Sequence, residues 1–406
     1  MDTQNEQAPI RTETPNESEQ RFLKLLRRNG APFDYERQLF NDHYQNVLGV
    51  RKGDRPIPYE LEIQPTSICN LKCEHCFGKA LTCSRLEDKM DMPELEKIAQ
   101  RISEFHEGAY TVETVKFCGT TGEPLVNPIT IPGINLFKKI DKKVILYTNG
   151  LWLDKKTNQG ITYAEAITQA DKVNISLDAG TPQTFFEIKK VDGFNRTIKN
   201  IENLVASRNT HHSPLRIDVS YVIGPKNYLE VETTVNLIRQ LGADHLIFRV
   251  DFAHPNLIKS LAPIILAEKA RAIKSLSPDF KISFAYSDSE ILDTDKDQEA
   301  HALTAQGKKC YNHNFWACIG PDCNLYVCGH RTYEGVEHFG NVLDTPLNEL
   351  WNSKKRTNIV DNLPDDKCKF CSPSCHRRDC LMKDLSERSI EEIEQLHEKY
   401  VVKKTK

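Results

Sequence analysis

Between residues 59 and about 276, six short apolar runs alternate with helix-length segments. The strand-like runs fall at 59–63, 114–117, 144–147, 173–177, 216–223 and 245–250, with helical stretches at 93–105, 164–170, 193–208 and 228–241 between them. Repeated alternation of this kind predicts a parallel sheet with helices packed outside it. The expected fold class is therefore α/β, and six βα units have the order of a partial (β/α)6 TIM-type barrel. In such barrels function collects at the carboxyl ends of the strands.

The loop after the first run carries Cys69, Cys73 and Cys76 at CxxxCxxC spacing. A cubane iron–sulfur cluster has four irons, and thiolate is its usual protein ligand. Three cysteines hold three irons and leave the fourth able to take a small molecule. The alternative, a structural zinc site, prefers four N/S ligands and often uses CxxC pairs. It would need His75 or Cys83 to complete the set.

This motif at a strand end resembles the core motif of the radical S-adenosylmethionine superfamily. The resemblance implies that the open iron binds the amino and carboxylate groups of S-adenosylmethionine. It also implies reductive cleavage to methionine and a 5′-deoxyadenosyl radical that abstracts a substrate hydrogen. The segment Cys118-Gly-Thr-Thr-Gly122-Glu123-Pro124 follows the second run and resembles the family's Gly-Gly-Glu-Pro segment, with Thr121 in place of the first paired glycine. By that resemblance Gly122 and Glu123 meet the methionine ammonium. Asn149, in Thr-Asn-Gly after the third run, is a cofactor contact or a turn residue. After the fourth run, Ser176 and Asp178 share one strand face. The resemblance makes them candidates for the carboxylate and the ribose hydroxyls. Tyr221-Val-Ile-Gly224 occupies the place of the adenine-contacting strand, although Ser220 and Asn227 stand where Gly and Glu are expected. Arg249 ends the sixth run and could pair with a carboxylate.

Eight more cysteines follow the barrel, at 310, 318, 323, 328, 368, 371, 375 and 380. A hairpin-like stretch at 311–327, then Gly340-Asn341, Trp351 and Cys368-Lys-Phe-Cys371, resembles the SPASM/twitch extension of the same superfamily. That extension carries one or two auxiliary four-iron clusters. The expected auxiliary ligands are Cys310, Cys328, Cys371 and Cys375, with Cys318, Cys368 and Cys380 beside them. One auxiliary cluster is favoured over two, because the last cysteine group has spacings of three and four residues and no cysteine follows Cys380. Zinc is the alternative here as well. Cys323 falls where the hairpin usually has Gly. Cys83 and Cys118 are buried hydrophobes or hydrogen-atom donors to a substrate radical.

The expected organisation is an N-terminal extension at 1–58, beginning disordered, and a barrel at 59–285. A linker at 286–307, the cysteine-rich domain at 308–382 and a C-terminal helix at 383–406 follow. With 39% hydrophobic and 27% charged residues and a net charge of −3, the chain gives no electrostatic case for nucleic acid or membrane partners. It lacks an export-type apolar segment, and its thirteen cysteines in clustered spacing favour metal sites in a reducing cytoplasm. The expected function is a radical oxidoreductase or transformase that oxidises, dehydrates or epimerises a small polar metabolite such as a sugar or aminocyclitol. A flavodoxin or ferredoxin would serve as its reductant. A peptide substrate is the alternative. It is disfavoured because the 58 residues before the barrel look too short and polar for a leader-binding module. A non-catalytic iron–sulfur or zinc-ribbon protein is the third reading.

Overall fold

The computed structural model describes residues 15–26, 35–76, 88–120, 122–251, 255–274, 280–286, 309–365, 367–368 and 373–401. Cys83 and Cys371 lie outside the described residues, as do Thr121, the stretch 287–308 and the side chain of Cys375.

The strands are β1 (Glu60–Ile63), β2 (Thr114–Phe117), β3 (Lys143–Thr148), β4 (Lys172–Ser176), β5 (Arg216–Ile223), β6 (His245–Val250) and β7 (Lys281–Phe284). After them come β8 (Trp316–Ile319), β9 (Asn324–Tyr326) and β10 (Gly340–Asn341). They form one open sheet in the order β10-β9-β8-β1-β2-β3-β4-β5-β6-β7. The run from β1 to β7 is parallel throughout, and helices α4 (Met92–Ser103), α5 (Thr130–Lys139), α6 (Pro182–Lys189), α7 (Phe194–Thr210), α8 (Val231–Leu241) and α9 (Pro255–Lys274) belong to its crossovers. This is the partial barrel expected, with β7 as a further parallel strand that the six-run pattern did not include.

Strand alternation sorts the side chains onto two faces. Leu61, Ile63, Val115, Phe117, Val144, Leu146, Val173 and Ile175 are buried in one core with Leu95, Ile98 and Ile134 of the helices. The other face carries Glu60, Glu62, Lys116, Asn174, Ser176, Asp218, Ser220 and Arg249. Strands of parallel sheets covered on both faces are usually apolar on both. A charged inner face therefore marks a polar interior rather than a packed one. Helix starts follow local chemistry: Asp91 caps α4 by accepting from Glu94 N at 2.9 Å while Glu94 reaches back to Asp91 N at 2.8 Å. This reciprocal box satisfies two otherwise orphaned donors.

The hairpin β8–β9 does not stand apart from the barrel. β8 pairs parallel with β1, in a register that sets Cys318 opposite Glu62. A second apolar cluster joins the chain ends. Phe22 of α1 (Glu17–Leu26), Phe40 of α2 (Tyr35–Asp42) and Val47 of α3 (Tyr44–Lys52) pack with Tyr59 and Phe315. Leu381, Met382 and Leu385 from a later helix (Pro373–Ser386) and Ile393 from the last one (Ile390–Tyr400) complete it. No helix among the described residues is long and apolar enough to cross a membrane.

Candidate active site at the carboxyl ends of the strands

The loop after β1 is held from three sides. Glu123 N donates to Ile68 O at 2.9 Å, Glu74 N donates to Ile188 O of α6 at 2.9 Å, and Asn149 Nδ2 donates to Asn70 Oδ1 at 2.7 Å. The ends of β2 and β3 and the last turn of α6 thus fix the segment bearing Cys69, Cys73 and Cys76. All three are free thiols. Burial, with smaller contributions from Glu123 and the neighbouring thiolates, pushes the Cys69 thiol up to about 11. Burial also raises Cys73, against the pull of Lys189. Metal ligation must therefore displace protons from buried thiols.

Gly122 is there for close approach: a Cβ on it would meet Thr66 O at 2.1 Å. This lets the turn after β2 lie directly on the root of the cysteine loop. Glu123, 3% exposed, accepts from Thr148 Oγ1 at 2.6 Å, Leu125 N at 3.1 Å and Asn149 N at 2.7 Å. Burial holds its carboxyl above its ordinary value. It is a bracket between two strand ends, with part of one oxygen left for a ligand. Asn149 likewise accepts from Leu151 N at 3.0 Å while reaching Asn70. Asn70 Nδ2 is buried with no acceptor, a donor left over beside the three thiols.

Ser176 and Asp178 do converge, the hydroxyl donating to Asp178 Oδ2 at 2.9 Å. Asp178 is fully buried, has φ +58°, and accepts from Val222 N at 2.8 Å. Its partners are Lys189 at the end of α6, in direct ion-pair contact, and His75 of the cysteine loop, with Nε2 at 3.3 Å. Burial alone would raise the Asp178 carboxyl, but Lys189 and His75 hold it well below the usual carboxylate range. Lys189 also reaches Ser176 Oγ at 3.2 Å, and burial is outweighed there by Asp178 and Cys73, which keep its ammonium charged. A buried cation thus sits among the thiols, Ser176 and Asp178. Lys189 was not legible as a site residue, because it is defined by contacts far along the chain, and the sequence marks His75 only as a fourth ligand for the zinc alternative.

Next to this group a cavity of about 260 Å³ is lined by Glu74, His75, Ile188, Val222, Gly224 and Asp251. Asn227, also in its lining, accepts from Gly224 N at 2.7 Å and donates to Asp178 O and Val222 O at 2.9 and 2.8 Å. Asn227 therefore staples the loop after β5, where the family pattern has an acidic residue. Arg249 Nη1 lies 3.3 Å from Ser220 Oγ, on the inner face of the sheet.

The residues present fit a three-cysteine cluster with a small polar ligand. The thiols share one loop, a glycine cradle that a Cβ would fill lies against its root, and an unsatisfied amide stands within it. Among the described residues no three His, Cys, Asp or Glu side chains form a single-ion metal site.

Of the later cysteines, Cys318 is buried on the inner face with its Sγ 3.9 Å from Glu62 Oε1. Burial, then Glu62 and Cys328, pushes its thiol well up. Cys368 Sγ accepts from Arg331 Nη1 at 3.1 Å, and Arg331 is itself clamped by both oxygens of Asp365. The Cys328 thiolate also adds to the electrostatic stabilisation of Arg331. The segments of Cys310 and Cys380 are adjacent, because Tyr311 N donates to Asp379 Oδ1 at 2.7 Å. Cys323 is buried in the apolar core at the β8–β9 turn with φ +60°. That backbone region favours glycine, which explains the glycine expected at this position and gives Cys323 a turn role.

The inner face adds residues the motifs did not mark. Lys116 Nζ is 2.8 Å from Glu60 Oε1 and 3.0 Å from Glu62 Oε2, and lies 4.6 Å from the Trp316 ring centre. Burial would lower the Lys116 ammonium, but the two carboxylates hold it well above its ordinary value. Cys118 borders the same pair; burial, then Glu62, pushes its thiol up and keeps it neutral. Alternation of Glu60, Glu62 and Gln64 along one strand was the available signal. Gly329 packs against Glu62, and a Cβ there would come within 2.3 Å of Oε1. Gly329→Ala is expected to displace Glu62 and cost about 1–3 kcal/mol, read by urea unfolding; an unchanged midpoint would show the carboxylate free to move.

The family described as the radical SAM superfamily matches residues 63–238, and the iron–sulfur cluster-binding SPASM domain matches residues 310–380. The chain is 28% identical over 181 residues to a GTP 3′,8-cyclase of Alkaliphilus oremlandii, covering 44% of this chain and 51% of that protein. It is 26% identical over 199 residues to a probable GTP 3′,8-cyclase of Saccharolobus islandicus, covering 48% and 58%. The match thus spans about half the length of these curated relatives. In fold the chain is similar to Streptococcus suis SuiB bound to precursor peptide SuiA, with TM-score 0.55, 13% identity and coverage of 83% of this chain and 74% of that one. It is also similar to anSMEcpe with bound AdoMet, with TM-score 0.54, 15% identity and coverage of 84% and 100%.

Proposed function

We propose that this chain, which belongs to the radical S-adenosylmethionine superfamily and carries a SPASM domain after its barrel, abstracts hydrogen from a small polar metabolite. The two domains imply four-iron clusters and S-adenosylmethionine as cofactors. When bound, these supply a carbon radical strong enough to remove a hydrogen from an unactivated C–H bond. The protein's part is to bind, orient and exclude water.

Cys69, Cys73 and Cys76 would hold the first cluster, and Cys310, Cys318, Cys328, Cys368, Cys371, Cys375 and Cys380 are the candidates for the auxiliary one. Gly122 and the free lone pair of Glu123 would meet the amino end of the cofactor, with Asn149 and Asn70 beside them. Lys189 and Ser176 would offer a cation and a hydroxyl to its carboxylate. The loop of Val222 and Gly224 walls the cavity suited to the adenosyl group. Asp178 orients Lys189 and His75 through Oδ2, which also accepts from Ser176, while Oδ1 accepts from Val222 N and keeps one acceptor position for a ribose hydroxyl.

The observation that supports the metabolite reading is the buried Glu62–Lys116 pair on the inner face, flanked by Trp316. Charged donors and acceptors inside a barrel suit a hydroxylated or ionic small molecule. Net oxidation, with the auxiliary site accepting the electron left after abstraction, is the favoured outcome. A flavodoxin or ferredoxin would reduce the first cluster. The Cys118 thiol, kept neutral by burial, would be the candidate to return a hydrogen atom if the reaction is instead an epimerisation.

The test is anaerobic reconstitution followed by dithionite and S-adenosylmethionine. The 5′-deoxyadenosine yield should exceed background, with iron near about eight per chain for one auxiliary cluster or about twelve for two. Deuterium should then pass into 5′-deoxyadenosine from labelled sugars or cyclitols. Transfer only from a labelled peptide would replace the metabolite reading with a maturase.

A further inference from the structure

At the amino-terminal ends of the strands, opposite the cysteine loop, lies a second concavity of about 1110 Å³. Its walls are the residues that precede β1, the turn Asn312–Asn314 that precedes β8, and the helix Lys354–Asp361 with the segment after it. Four cations line it: Arg51, Arg55, Lys309 and Arg356. The acidic residues in its lining are Asp54, which accepts from Tyr110 Oη at 3.2 Å, and the exposed Asp361.

Arg356 is 2% exposed, yet no carboxylate among the described residues pairs with it. Its guanidinium lies 3.7 Å from the Trp351 ring centre and donates through Nη2 to His313 O at 3.3 Å. Its Nε–H is buried without an acceptor. Arg51 repeats the pattern: Nη2 donates to Arg388 O at 2.8 Å, and Nε–H is buried with no acceptor. Burial, then Arg55, pushes Arg356 down to about 9 against the opposing pull of Asp361, so the group is charged at neutral pH but only partly compensated. A buried cation is normally paired and hydrogen-bonded, because an unpaired one forfeits its hydration without recompense. Stacking on Trp351 offsets part of that loss, but it leaves the Nε–H donors of both arginines unused.

We propose that this groove binds an oxyanion, the phosphate or carboxylate group of a small molecule, between Arg51 and Arg356, with Arg55 and Lys309 at its mouth. Guanidinium donors in a rigid fork match such groups, and the bonds are charge-assisted. The site is separate from the carboxyl-end chemistry. It joins the end of α3 to the SPASM region, so its ligand clamps the N-terminal helices onto the auxiliary-cluster side of the molecule.

The reconstituted holoenzyme should be titrated calorimetrically with inorganic phosphate and with succinate, against sodium chloride at matched ionic strength. Saturable binding of phosphate identifies a phosphate-bearing ligand, and saturable binding of succinate a carboxylate. Arg356→Gln should weaken that binding by about ten-fold or more, as loss of a charge-assisted bond requires. Arg55→Gln, at an exposed position, should weaken it by about three-fold with unchanged thermal stability. It serves as the readout if Arg356→Gln fails to fold. If neither anion saturates, or if Arg55→Gln binds as tightly as the parent, the site does not exist.

Discussion

Lys189→Met is expected to lower folding stability by about 3–5 kcal/mol, because it strands the Asp178 carboxylate in the interior without its ion-pair partner. Asp178 keeps Ser176, the Val222 amide and His75, but none of these supplies the buried positive charge. The same substitution removes the cation that draws the Cys73 thiol toward its thiolate form. Cluster loading should therefore fall even in the fraction that folds. The double variant Lys189→Met/Asp178→Asn separates the two effects. Removing both charges relieves the desolvated carboxylate, so most of the lost stability should return, while cluster loading should stay low. Urea unfolding of the three proteins reads the first effect, and iron per chain reads the second. A single-variant loss below about 1 kcal/mol would place the pair among exposed ion pairs in energy and contradict the burial seen here.

Cys73→Ala should abolish 5′-deoxyadenosine formation and reduce iron by about four per chain. The far-ultraviolet circular dichroism should be unchanged, since the loop is also held by Glu74 N to Ile188 O and by Asn149 to Asn70. The control is Cys323→Ser. Cys323 lies buried at the β8–β9 turn in an apolar core with a left-handed backbone, and its loss should leave the iron content untouched. If Cys323→Ser removed iron as Cys73→Ala does, the assignment of Cys323 to the turn would be wrong.

Much of the barrel was readable because its signals are local. The strands at 114–117, 216–223 and 245–250 occur at the residues expected, since alternation and crossover helices are written within a few turns of chain. The capping box of Asp91 and Glu94 and the one at Ser389 and Glu392 are likewise short-range. The helix α6 was not anticipated, although Thr181-Pro182 opens it with a capping hydroxyl and a proline in its first turn. Its few apolar residues gave too weak a period beside the neighbouring longer helix. The charged inner face was half visible: Glu60, Glu62 and Gln64 alternate in the sequence, but alternation alone does not say whether the polar face meets water or a site.

The sequence by itself determined the parallel α/β barrel, the three-thiol loop at the end of its first strand, and the second field of cysteines after it. Each depends on spacing within one stretch of chain. Only the tertiary structure decided that β8 would join β1 edge to edge and bring Cys318 to Glu62, and that Lys189 and His75 would converge on Asp178 beside Cys73. Only it showed Arg51 and Arg356 lining one groove. The reason is physical: a buried charge is placed by the partners that compensate it, and those partners come from residues tens or hundreds of positions away.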